Sequence, residues 1–186
     1  MGKDMDDREL SAFYVGLGAD YQISNDWILG LGWEHLSGTD QKEMMQNPKG
    51  YVNRSFNPFY GTSHKFNGFM DYFNTNGNWS NSVGLNDLFL SAQYSTGSFE
   101  VNLTGHAFLT AASVVKNGNI NETMEPYLGT ELDLTIAYKL SRTSNVVFGY
   151  SQMFGSETLQ TLKGGDKSAC NNWAYLMFTF KPVFLK

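Results

Sequence analysis

The sequence predicts an all-β protein: an antiparallel up-and-down transmembrane β-barrel, of which this chain supplies about seven to eight strands. Three observations support this prediction. Apolar and polar residues alternate over segments of about ten residues, the length at which a tilted strand spans a bilayer. The connections between these segments are alternately very short and very long. Aromatic residues make up 15% of the chain, with 19 glycines and only 4 prolines, which is typical of strands with aromatic girdles and tight turns.

Hydropathy alone would place the chain among soluble proteins, because hydrophobic residues make up 41% and the mean hydropathy is -0.33. A barrel strand shows only every second residue to lipid, so its average composition stays polar. The same values fit a soluble β-sandwich or a lipocalin-like barrel. That alternative is a soluble β-barrel or sandwich that binds a carbohydrate or an apolar ligand.

Charge and cysteine content exclude several classes of function. The net charge of -5 argues against nucleic acid as a partner, since phosphate binding needs a basic face. Cys170 is the single cysteine, so neither a disulfide framework nor a thiolate metal cluster is predicted, and no cofactor is expected. Residues 1–9 are acidic and have no apolar stretch of the secretory kind. We therefore expect that a signal has been removed or that the chain begins within a longer protein.

The first two strands are predicted at 10–23 and 27–36, joined by a turn at 24–26. The apolar face of the first strand carries Phe13, Val15, Leu17, Ala19 and Tyr21. Trp27 and Trp33 lie near the two ends of the outward face of the second strand, as interfacial anchors do.

A long connection at 38–83 is predicted to be an extracellular or pore-side loop. Its segment 57–73 is aromatic, rich in glycine and too irregular for a strand. We expect this segment to fold against a wall or into a pore mouth. The candidate residues for a constriction are Tyr60, His64, Lys65 and Asp71.

Five further strands follow. Strands at 85–94 and 99–110 are joined by a tight hairpin at 95–98, and a loop at 111–126 leads to strands at 131–139 and 145–154. The last strand, 172–184, follows a loop with glycine and lysine and is apolar at nearly every position. Its alternation therefore does not say which side faces outward.

The connections predict the topology. Connections after the first, third and fifth strands are short and the others are long, as in barrels with periplasmic turns and extracellular loops. The chain then ends in the periplasm, and seven strands place its start outside the cell. Bacterial barrels have even strand numbers, and an open edge cannot face lipid. We expect residues 1–186 to form a single barrel region, the C-terminal portion of a larger barrel whose N-terminal strands are its partner. Alternatively, part of 66–73 supplies an eighth strand and closes a small barrel.

Residues 59–73, FYGTSHKFNGFMDYF, followed by 84–87, GLND, carry a family resemblance. They resemble the hallmark of the alginate export family of outer-membrane proteins, especially its Bacteroidetes-type members. Residues 32–40, GWEHLSGTD, and 149–154, GYSQMF, support the resemblance. It implies a monomeric barrel of roughly eighteen strands in the lipid of the bacterial outer membrane. It also implies a porin-like channel, not an enzyme, for passive diffusion or export of a polar solute or polysaccharide.

The predicted inward faces are acidic. The pore-lining candidates are Asp20, Glu34, Asp87, Glu100, His106, Glu131, Asp133 and Lys139. A pore for a polyanion such as alginate is expected to carry rings of Arg and Lys, since pore charge selects the opposite sign. This wall fits a cationic or neutral solute at least as well. A neutral oligosaccharide that stacks on Tyr14, Phe89 and Trp173 also fits.

Three candidate sites each have a second interpretation. His64 gates a ligand or, more simply, fixes the loop to a wall carboxylate together with Asp71. Glu131 and Asp133 lie two apart on one strand face and either hold Ca²⁺ with loop oxygens or form a solvated wall. His106 with Ser151 suggests an outer-membrane hydrolase, but no recognised motif joins them, and a structural role is favoured.

Overall fold

The computed structural model describes residues 2–58, 64–73, 83–116 and 119–182. The described residues form mostly antiparallel β-structure with two short helices. In chain order the elements are β1 (Gly2–Lys3), β2 (Glu9–Leu10), β3 (Tyr14–Gln22), β4 (Trp27–Leu36), α1 (Gln41–Gln46), β5 (Leu85–Thr96), β6 (Phe99–Leu109), β7 (Val115–Lys116), β8 (Asn119–Thr123), β9 (Tyr127–Lys139), β10 (Ser144–Gly155), α2 (Glu157–Lys163) and β11 (Asn171–Phe180).

Seven of these strands form one sheet in the order β3-β4-β5-β6-β9-β10-β11, and every neighbouring pair is antiparallel. The prediction of an antiparallel up-and-down sheet is confirmed. Among the described residues the sheet does not close, and β3 and β11 are its outer strands. Residues 64–73 form turns, so this part of the chain supplies no eighth strand between them.

The predicted alternation of short and long connections is also confirmed. Connections at 23–26, 97–98 and 140–143 are short and lie at one end of the sheet, which we call the turn end. Connections at 37–84, 110–126 and 156–170 are long and lie at the other end, the loop end. The second of these contains the small β7-β8 hairpin, which the sequence did not predict.

The two helices are additions within the long connections. Asp40 caps α1 by accepting hydrogen bonds from the backbone N–H groups of Lys42 and Glu43, and Ser156 caps α2 in the same way through Leu159. Helices of six and seven residues present too few turns for a periodic pattern, which is why alternation did not reveal them. In the described part of the chain, no helix is both long and apolar enough to cross a membrane.

One face of the sheet is apolar and uncovered. Because side chains alternate along each strand, the register places Leu31, Leu90 and Leu132 in one row on this outward face. Leu31 is 62% exposed, Leu90 63% and, on the last strand, Leu176 61%. Trp27 packs against Tyr94 near the turn end of this face, with 4.9 Å between ring centroids, and Trp33 lies toward the loop end. The apolar and polar faces predicted for the first five strands are confirmed.

The last strand has the same two-sided character, although its sequence did not show it. Trp173 and Tyr175 are half-buried on the polar side of the sheet, whereas Leu176, Phe178 and Phe180 are exposed. The ring of Tyr175 lies over Gly149, where an added Cβ would come within 2.0 Å of it. The glycine therefore leaves room for an inward aromatic ring.

The hydrophobic core lies at the loop end and on the polar side of the sheet, not behind the apolar face. Its members are Leu36, Phe73, Val83, Leu85, Phe108, Val114, Leu128, Met153 and Leu159. Phe73, from the long connection, packs on Phe108 of β6 with 4.5 Å between ring centroids. Each such side chain contributes about 1.5–3 kcal/mol by burial. The core therefore fixes the long connections onto the sheet and leaves the apolar face free.

Candidate functional site

Four carboxylates and a histidine converge on the polar face near the loop end. Glu34 of β4 pairs with Asp87 of β5, and His106 of β6 pairs with Glu131 of β9, in the antiparallel register. Asp133 follows on the same face of β9. Asp87, Glu131 and Asp133 are almost completely buried, although unpaired charged groups are rarely buried in proteins. Their burial requires partners.

The cover is provided by residues 64–73, which we call the docked loop. The Met70 N–H donates to Glu131 Oε1 at 2.8 Å, and the Phe69 N–H donates to Asp133 Oδ2 at 3.1 Å. The Asn67 side-chain amide donates to Glu34 Oε2 at 2.8 Å and to Asp87 Oδ2 at 3.3 Å. Hydrogen bonds to carboxylates are stronger than neutral ones. The expectation that this segment folds against the wall is thus met for the described residues.

The docked loop has an unusual backbone. His64, Asn67 and Asp71 have φ values of 56°, 55° and 58°, in the left-handed region that costs a non-glycine residue roughly 1–3 kcal/mol. Within the loop, the His64 N–H donates to Asp71 Oδ1 at 2.8 Å, and His64 Nδ1 lies 2.7 Å from the Phe69 carbonyl oxygen. The contacts to the wall and within the loop together hold this conformation.

At Gly68 the docked loop leaves no room for a side chain above the Glu131 carboxyl group. The φ of Gly68 is +85°, and an added Cβ would lie 2.6 Å from Glu131 Oε1 and 2.7 Å from Oε2. Only glycine meets both conditions, since any side chain would be strained and would also displace the carboxylate.

His64 has a different wall partner from the one expected. It pairs with Asp71, with 2.9 Å between Nδ1 and Oδ2, as the sequence suggested. Its contact with the wall is the ring of Trp173 on β11, stacked at 4.2 Å between centroids and 17° between planes. The loop is thus held at one side by carboxylates and at the other by an aromatic ring.

His106 is held between two acids. Its Nδ1 lies 2.9 Å from Asp87 Oδ1, its Nε2 lies 3.7 Å from Asp133 Oδ2, and its ring stacks on Phe108. The hydroxyl of Ser151 is buried and has no hydrogen-bond partner within the described ranges. No hydrogen bond therefore activates Ser151 through His106 in the described structure, and the hydrolase interpretation lacks the contact that it needs.

A cleft of about 270 Å³ lies beside the loop, between its tip and strands β4, β5 and β6. It is lined by Glu34, Lys65, Phe66, Asn67, Phe69, Asp87, Phe89, Ser91, Asn102, Thr104 and His106. Acidic, amide and hydroxyl groups line it together with three exposed or half-buried phenylalanine rings, which suits a small polar solute.

The remaining predicted residues lie farther from this cluster. Asp20 and Glu100 are exposed on the polar face, and Glu100 Oε1 accepts a hydrogen bond from the Gln93 amide at 3.3 Å. Lys139 is exposed at the turn end of β9, and Lys65 is exposed in the docked loop. Tyr60 lies outside the described residues.

Tyr72 lies in the docked loop, two residues after Met70. Burial raises the pKa of its phenol, and the nearby Glu131 carboxylate adds to this effect. A negative charge disfavours a second negative charge close to it. The phenol therefore stays neutral near the acidic cluster.

Sequence reasoning missed Asn67, the backbone amides of Phe69 and Met70, and the role of Trp173 as a support for the loop. The Asn67-Gly68 pair is a recognised turn signal and marks the place where the loop reverses. Among the described residues, no group of three or more His, Cys, Asp or Glu side chains is arranged to hold a metal ion. Glu131 and Asp133 thus lack a third such ligand in that part of the chain.

Comparison with protein-family models finds no match, and no curated protein is significantly similar to this chain.

Proposed function

We propose that this chain is part of the wall of a porin-like channel in the bacterial outer membrane, in which a polar solute passes by diffusion. The observation that carries the proposal is the uncovered apolar face of the seven-stranded sheet. The largest apolar patch on a soluble monomer usually covers only a few hundred Å². Lipid is the surrounding that suits an outward face of Leu, Phe, Tyr and Trp on strands of nine to thirteen residues.

The opposite face suits a water-filled lumen. It carries carboxylates, amides and hydroxyls, and the docked loop narrows the space above it. In this proposal the outer strands β3 and β11 pair with further strands of the same barrel, which satisfies their backbone groups in lipid. The resemblance to the alginate export family agrees with this assignment.

The charges favour a cationic or neutral solute over a polyanion. The polar face carries the six predicted acids, of which Asp20 and Glu100 are exposed, whereas the lysines predicted for it are Lys139 and Lys181. Rings of one charge select ions of the opposite charge. Alginate, a polyanion, is accordingly a weaker candidate for this part of the wall than a cation or a neutral sugar.

The second candidate is a soluble sheet protein that binds a carbohydrate or an apolar ligand. The cleft beside the docked loop favours it, because Phe66, Phe89 and several polar groups line one small space. That candidate requires another layer to cover the apolar face. The described part of the chain provides none.

We expect the full-length protein to form ohmic channels in planar bilayers and to prefer cations under a salt gradient. The double variant Asp20→Asn, Glu100→Gln should shift the reversal potential toward zero, because both carboxylates are exposed on the polar face and neither touches the docked loop. Glu122→Gln, in the exposed β7-β8 hairpin, is the control and should leave the potential unchanged. A protein that is folded and inserted but forms no channel would overturn the proposal.

A further inference from the structure

Glu131 and Asp133 form a buried pair of carboxyl groups. They lie two residues apart on the same face of β9, at 0% and 2% exposure, and two successive residues of the docked loop bind them. One oxygen of each accepts a backbone N–H from the docked loop. Glu131 Oε2 and Asp133 Oδ1 have no conventional donor within the described ranges. Two ionised carboxylates in a dry site repel each other, whereas one proton between them removes a charge and gives a donor to oxygens that otherwise have none.

The surrounding charges do not replace that proton. The titratable groups around the pair are Glu34 of β4, Asp87 of β5, His106 of β6, and His64, Lys65, Asp71 and Tyr72 of the connection. Among the described residues, the basic side chain paired with either carboxylate is the imidazole of His106. Its Nε2 lies 3.7 Å from Asp133 Oδ2, and its Nδ1 lies 2.9 Å from Asp87 Oδ1. The β10 side offers Ser151, which carries no charge. The neighbouring groups therefore do not neutralise the two negative charges that the pair would carry if both carboxyl groups were ionised.

We propose that Glu131 and Asp133 share one proton, and that this proton holds the docked loop on the wall. With the proton present, each carboxyl group uses one oxygen for the loop backbone and one for its partner. Without it, two negative charges lie side by side in a dry site, and water must enter to separate them. The loop leaves the wall when the proton is lost. That this release widens a passage rests on the channel function proposed above.

The sign of the pH dependence follows from proton linkage. The docked state binds one proton more than the released state, so docking weakens as the pH rises and is complete at lower pH. For a single linked proton the docking constant falls by up to about tenfold per pH unit within the titrating range.

Hydrogen exchange at the Phe69 and Met70 amides measures docking directly, because these amides donate to Asp133 and Glu131. In the full-length protein in lipid bilayers, we expect their protection to fall as the pH is raised from about 6 to about 9, after correction for intrinsic exchange. The Glu131→Gln variant mimics the protonated acid, since its amide oxygen accepts from Met70 and its NH₂ donates to Asp133. In this variant the Phe69 and Met70 amides should stay protected from exchange over the same pH range.

Glu34→Gln is the matched control, because Glu34 also binds the loop, through Asn67, but its other oxygen accepts a hydrogen bond from the Tyr14 hydroxyl at 2.9 Å and needs no shared proton. It should keep the pH dependence of the wild type. If Glu131→Gln does not fold, Asp133→Asn replaces it, since its amide still accepts from Phe69. A wild-type loop whose protection does not change with pH, or an unchanged pH dependence in these two variants, would overturn the shared proton.

The infrared C=O stretch of a protonated carboxyl group gives a second readout. It should be present in the wild type at neutral pH and be lost or reduced in Glu131→Gln, and its presence unchanged in that variant would contradict the assignment. Both readouts report on the loop and the proton without requiring conductance. A protein that forms no channel but shows the pH-dependent protection would therefore refute the channel and leave the proton pair standing.

Discussion

Replacing Leu103 with lysine is expected to destabilise the membrane-inserted protein by about 2–4 kcal/mol, the cost of a lysine near the middle of the lipid face of a barrel. Leu103 is on the outward face of β6, 48% exposed, between Ala92 and Leu134 in the register. The side chain of the neighbouring residue, Asn102, points to the acidic polar face. Its replacement by lysine should change the free energy of unfolding by only about 0.5 kcal/mol. The cost of a lysine thus differs between these two adjacent positions, because successive side chains of a strand point to opposite faces of the sheet.

Denaturant unfolding of the full-length protein in lipid vesicles measures both changes on the same strand. In a soluble protein an exposed Leu→Lys substitution usually falls within about 0.5 kcal/mol of neutral. Equal and small effects at Leu103 and Asn102 would therefore mean that the apolar face meets water or another protein layer that tolerates charge, and the membrane assignment would fail.

Gly68→Ala is expected to detach the docked loop. The added Cβ would lie 2.6 Å from Glu131 Oε1, and the φ of +85° is unfavourable for alanine. The backbone conformation alone costs roughly 1–2 kcal/mol, about a five- to thirtyfold change in the docking equilibrium, and the contact with the carboxylate adds to it. Protection of the Phe69 and Met70 amides from hydrogen exchange should fall by more than about tenfold.

Gly97→Ala is the control that distinguishes the effect of backbone strain from the effect of the contact with the Glu131 carboxylate. Gly97 also has a positive φ, +56°, but nothing lies within 4 Å of an added Cβ at this hairpin on the turn end. This variant should lose some overall stability while keeping the protection of the docked loop. If Gly68→Ala protects Phe69 and Met70 as well as the wild type does, the close approach of Gly68 to Glu131 does not hold the loop.

The alternation of the sequence was sufficient to predict the two faces of most strands. At Leu103 the polar neighbours Asn102 and Thr104 leave one assignment, because successive side chains point to opposite faces. In β11 the apolar residues are continuous and the period disappears. The structure turns Trp173 and Tyr175 inward, where Tyr175 covers Gly149 and Trp173 supports His64. Those contacts depend on neighbouring strands and on a distant loop.

The docked loop shows what the sequence could not predict. Its aromatic and glycine-rich composition indicated a structured segment near a wall, and the pairing of His64 with Asp71 was anticipated. The main attachment, however, joins the backbone amides of Phe69 and Met70 to two carboxylates more than sixty residues away in the chain. Backbone donors have no residue signature. The strand register brings Glu131 and Asp133 to the same region of the polar face as Asp87. Without that register the attachment cannot be predicted.

Accessibility along β6 tests the central claim most directly. Nitroxide labels placed one at a time from Phe99 to Leu109, in a Cys170→Ser background, would be exposed to oxygen and to a water-soluble relaxation agent in lipid bilayers. We predict that outward positions such as Leu103 meet oxygen in the lipid, and that inward positions such as Asn102 meet the water-soluble agent or are shielded by the loop. Outward positions that are freely reached by the water-soluble agent in a folded protein would contradict the membrane wall.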